Sequence, residues 1–88
     1  MIGTSDLEQE AFDLCKTVHE SRRAGEVPQI DVGRLGEIGR AIFATGGFHG
    51  MVTSFDRIAL MAPLNSDLMH AAESLIDANW SGIGNWGS

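Results

Sequence analysis

The chain has little of what several function classes require. Only one of its 88 residues is a cysteine, Cys15, so neither an internal disulfide nor a cysteine-based metal cluster can form within it. Lys16 is the single lysine among six basic residues, which face twelve acidic ones for a formal charge of −6. Nucleic acids and anionic membranes select clustered lysine and arginine, so neither is the expected partner. Tyrosine is absent, and the longest apolar run, Ile58 to Leu64, is interrupted by Pro63 and far too short to span a bilayer. The opening residues Met1-Ile2-Gly3-Thr4-Ser5-Asp6 carry neither the basic nor the apolar region of a secretory leader. With the lone thiol, this makes the cytoplasm the expected location.

What is present in excess is glycine, at eleven positions. A chain of this length makes one domain, residues 1–88, able to bury roughly 60 to 65% of its unfolded surface. Glycine inside helices weakens such a small core further. A second subunit would supply the missing burial, so self-association is expected.

The chain is organised around Ala44-Thr45-Gly46-Gly47-Phe48-His49-Gly50-Met51, a glycine break between two amphipathic runs. Glycine can sit at positive φ just past a helix end, so Gly46 or Gly47 can close one helix and let the next leave at a steep angle. Phe48, Met51, Val52 and Phe55 follow at helical spacing and are expected to place this corner at the core.

Ser5-Asp6-Leu7-Glu8 fits a capping box, and Leu7, Ala11, Leu14 and Val18 form an apolar stripe with Cys15 at its edge. Acidic residues early, basic residues late and Gly25 as a stop predict a first helix over 6–24. Phe12 lies off the stripe, where it either widens the buried face or meets another chain. Pro28 predicts an extended connector, and Asp31 is a good cap for a second helix over 32–45. Gly36 and Gly39 fall on that helix's apolar face, leaving a shallow groove for a backbone or a large ring. A third helix is expected over 48–62, ended by Pro63, with Leu60 and Met61 off its stripe. Asn65 or Ser66 caps a fourth over 66–79, with Leu64 and Met69 spaced as a hydrophobic staple. The tail from Trp80 to Ser88 is too rich in glycine for a helix but holds both tryptophans. It is expected to fold back on the bundle, with Trp80 buried and Trp86 against the glycine-lined surface of helix two.

Ile38-Gly39, Gly46-Gly47, Met51 and the closing Trp80-Ser81-Gly82-Ile83-Gly84-Asn85-Trp86 resemble a pattern of small bacterial helical proteins: IG, GG, M, then W-x-GIG-x-W. The likeness covers the C-terminal two-thirds of the chain. It implies a bacterial or phage origin and no activity.

Residues that could carry chemistry fail on spacing. Gly33, Gly36 and Gly39 repeat as G-x-x-G-x-x-G, which lacks the strand-loop-helix setting and the lysine of a phosphate-binding loop. His70, Glu73 and Asp77 share a helix face, an arrangement that would hold a metal only with ligands from elsewhere, and a solvated polar face explains them better. His49, Ser54 and Asp56 are spaced too far apart for hydrogen-bond reach along one helix. Cys15 and His19 stand one turn apart, yet the stripe beside Leu14 and Val18 predicts a buried, inert thiol.

The resulting expectation is an all-α fold: a compact bundle of four helices, about 6–24, 32–45, 48–62 and 66–79, with a non-helical Trp/Gly tail packed on it. The expected function is a non-enzymatic protein–protein interaction module that binds a second copy of itself through Phe12, Leu60, Met61 and Trp86. Neither a metal nor a cofactor is expected. Two alternatives stand beside it. One is an acidic inhibitor or decoy, phage-borne, that uses Asp67, Glu73 and Asp77 against a basic protein. The other is a small-molecule binder with a cavity beside the glycines of helix two.

Overall fold

The four apolar-periodic runs become three helices in a computed structural model of the chain, which describes residues 3–27, 33–84 and 86. α1 spans Thr4–Arg23, α2 spans Gly33–Ala59 and α3 spans Ser66–Trp80, and there is no strand among the described residues. Each helix packs on both others. The cap expected at Asp31, the helix start at Val32 and connector residues 28–30 lie outside the described residues.

α1 starts two residues earlier than the capping box at Ser5 and Glu8 predicts. Gly3 is the cap, and the Asp6 carboxylate accepts its backbone N–H at 3.4 Å. At the other end Gly25 (φ 76°) donates to the Arg22 carbonyl while Glu26 donates to Ser21, the bond pair of a Schellman stop. The buried stripe is Ala11, Cys15 and Val18, so Cys15 lies at its centre rather than its edge. Leu7, Phe12 and Leu14 flank it, partly buried.

The expected four helices are corrected to three. Helical geometry resumes on either side of Gly47 (φ 67°, ψ −163°), so the runs expected at 32–45 and 48–62 both belong to α2. That single residue nevertheless turns the helix sharply. Glu8 and Glu10 lie within one turn of α1, yet Glu8 reaches Ser54 and Arg57 while Glu10 reaches Arg34. In a straight helix Arg34 and Ser54 would stand about 30 Å apart, beyond the span of two neighbouring glutamates. α2 therefore doubles back at Gly47, in backbone conformation that is essentially glycine's alone. The corner itself is not the core: Met51 is fully buried, but Phe48 is 43% exposed and Val52 is exposed too.

The second arm of α2 leaves helical geometry at Ala59, three residues before the predicted end. Met61 and Ala62 donate to Ile58 and Ala59 in tighter three-residue turns, and Pro63 has no N–H with which to continue. Asn65 then caps α3, its side chain accepting from Leu68 N at 3.1 Å. The staple predicted between Leu64 and Met69 does not form, because Leu64 is 99% exposed.

Leu35, Ile38, Ile42, Met51 and Ile58 of α2 meet Ala72, Ile76 and Trp80 of α3 in the centre. Trp80 is fully buried, and its indole N–H donates to the Leu35 carbonyl at 2.9 Å, so the ring enters the core without an orphaned donor. It sits on Gly39, where a methyl group would come within 2.6 Å of its Cδ1 and Nε1. The tail returns to the helices through bonds from Ile83 N to Trp80 O and from Trp86 N to Ile83 O. The groove expected beside the glycines of helix two is thus filled by Trp80, not by Trp86.

Candidate interaction site

An open groove of about 440 Å³ lies where the middle of α1 faces the turn between α2 and α3. Phe12 forms one wall, set off the buried stripe of α1 and therefore only partly covered. Lys16 follows it one helical turn later on the same wall. Met61, Pro63 and Leu64 form the opposite wall, and Leu68 closes the floor from α3. The turn is what exposes these residues: the early end of α2 and the cap at Asn65 leave the chain too little length to tuck its side chains inward. Leu60, 66% exposed, stands beside the groove in the same turn without lining it.

Two of the four residues expected at an interface, Phe12 and Met61, are therefore brought together across the groove, with Leu60 next to them. Trp86 is elsewhere. Its ring packs 5.1 Å from Trp80, 5.3 Å from Phe55 and 5.9 Å from Phe48, and its N–H donates to Asp77 Oδ1 at 3.0 Å. It serves as a wall of the fold. Lys16, Leu64 and Leu68 were not singled out for this face by the sequence; the available signal was an apolar residue stranded between Pro63 and Asn65.

A second constellation lies between α1 and the returning arm of α2. Glu8, expected to cap α1, is only 3% exposed. The buried Ser54 hydroxyl donates to its Oε2 at 2.7 Å, and Arg57 Nη1 stands 3.6 Å from the same oxygen. A buried carboxylate is tolerable only with such partners. Ser54 is turned inward to Glu8 while His49 and Asp56 are exposed, so these three do not assemble as a hydrolytic triad. On the outer face Arg34 makes a two-pronged bond to Glu10, at 2.6 and 2.9 Å. That hydrogen bond, with the guanidinium charge, holds the Glu10 carboxyl below its ordinary range.

Burial pushes the Cys15 thiol up to about 12, and it donates weakly to the Ala72 carbonyl at 3.9 Å rather than to His19. His70 and Glu73 form an exposed pair at 3.5 Å, while Asp77 is engaged by Trp86. No cluster of three or more potential metal ligands occurs among the described residues. No helix among them is long and apolar enough to cross a membrane.

Comparison of the chain with protein-family models, with curated proteins and with solved structures finds no match. The bacterial or phage origin implied by the glycine and tryptophan motifs therefore rests on those residues alone.

Proposed function

We propose that this protein is a small non-enzymatic interaction module of the cytoplasm that associates with itself. The observation that carries the reading is the placement of Phe12 and Met61 across one open groove, with Leu64 exposed at its edge. A domain this small gains little from holding leucine in water, and contiguous exposed apolar side chains are characteristic of protein interfaces. Glu8, Glu10, Ser54 and Trp80 all have hydrogen-bond partners within the chain.

Neither alternative gains comparable support. The glycine face that would have lined a small-molecule cavity is occupied by Trp80 and the Asn79 backbone. Of the carboxylates offered for an acidic decoy, Asp77 bonds Trp86 and Glu73 pairs with His70. Size-exclusion chromatography with light scattering tests the proposal. The expected result is a mass that rises above the 9.4 kDa of one chain as concentration increases. A monomer throughout the micromolar range refutes it.

A further inference from the structure

We infer that the occupant of the Phe12–Met61 groove is Leu64 of a second copy of this chain, docked about a two-fold axis and registered by an ion pair between Lys16 of one copy and Asp67 of the other. The inference rests on the self-association proposed above and names the surface and the partner geometry. A two-fold interface brings the same patch together from both sides, so each copy must present both a projection and a recess within that patch. This chain does so. Leu64 is 99% exposed and forms the lip of the groove that Phe12, Met61 and Leu68 line. One rotation can therefore place each Leu64 in the other copy's recess, burying both.

Charge selects the same occupant. The groove's one cation is Lys16, exposed and without an ion pair among the described residues. It calls for an incoming apolar side chain that has a carboxylate close by. Asp67, in the first turn of α3 and three residues beyond Leu64, is exposed and also without an ion pair among the described residues. The chain thus carries the ligand that its own groove is suited to. The exposed aromatic surface around Phe48 is partly covered by Trp86.

The test is sedimentation equilibrium of the full chain and four variants, Leu64→Ser, Lys16→Asp, Asp67→Lys and the double variant Lys16→Asp/Asp67→Lys. All three positions are exposed, so helicity and melting by circular dichroism should stay close to the parent's. Removing two buried leucines per dimer should weaken association about a hundredfold or more. Each single charge reversal should weaken it roughly tenfold, and the double variant, which keeps the net charge, should return to within about threefold of the parent. A parent dimer that Leu64→Ser leaves unchanged overturns this surface while self-association stands. A double variant no tighter than its singles overturns the ion pair and with it the proposed register. A parent that is monomeric throughout the micromolar range overturns both proposals and gives the groove to a different protein.

Discussion

Gly39→Ala ought to destabilise the protein, although alanine is the better helix former by about 1 kcal/mol. The reason is Trp80. An added methyl group would lie 2.6 Å from its Cδ1 and Nε1 and 3.0 Å from Ile83 Cδ1, and a rigid indole cannot swing aside as a flexible side chain can. The ring is fully buried, with Leu35, Ile38 and Ile42 in the same core. Overpacking of this kind costs about 1 to 3 kcal/mol. Moving the ring also threatens its 2.9 Å bond to the Leu35 carbonyl, and a buried unsatisfied donor costs about 1 to 3 kcal/mol more. After the gain in helix propensity the net loss is about 1 to 5 kcal/mol. In urea, followed by circular dichroism and tryptophan fluorescence, the midpoint should fall by about 1 M or more. Gly46→Ala is the matching control: it lies in the same helix, has nothing within 4 Å of the new methyl, and should be neutral or stabilising by up to about 1 kcal/mol. A Gly39→Ala variant as stable as Gly46→Ala would mean that Trp80 does not occupy the glycine face.

Ser54→Ala removes the donor that neutral packing cannot replace for Glu8 and should cost about 1 to 3 kcal/mol in the same urea assay. Cys15, held near 12 by burial, should alkylate with iodoacetamide at pH 8 on the order of a thousandfold more slowly in the folded protein than in urea. Glu10 is held below its ordinary value of 4.5 by the hydrogen bond from Arg34, so the stability it contributes is present above that value and disappears as pH falls through the lower folded one. Glu10→Gln should therefore flatten the acid side of a melting-temperature profile, and an unchanged profile would show that the pair is not linked to folding.

The sequence was most legible where one local rule acted alone. Gly25 and Asn65 do at the helix ends what their chemistry implies, and the periodic stripes of α1, α2 and α3 locate most of the core. It was misleading where a local rule competed with a long-range contact. Glu8 fits a capping box, but tertiary packing draws its carboxylate to Ser54, forty-six residues away, and Gly3 and Asp6 make the cap instead. Gly46-Gly47 marked a corner correctly, but a single non-helical residue suffices to make it, so one bent helix stands where two were expected. Gly39 showed that something bulky comes close, and only the course of α3 decides that it is Trp80. The groove was half legible: Phe12 and Met61 stood out as apolar residues off their stripes. Leu64 instead matched a staple, and its exposure follows from how tightly the turn is wound.

Paramagnetic relaxation between two populations of the chain tests the proposed assembly most directly. Ser66 is exposed beside Leu64, so a nitroxide on Ser66→Cys can be attached there while the buried native thiol stays unmodified. Mixed with isotope-labelled parent protein, the labelled chain should broaden the amide signals of Phe12 and Lys16 in the other copy. Broadening confined to Phe48 and its neighbours, or none at a concentration where the mass has doubled, would contradict the account.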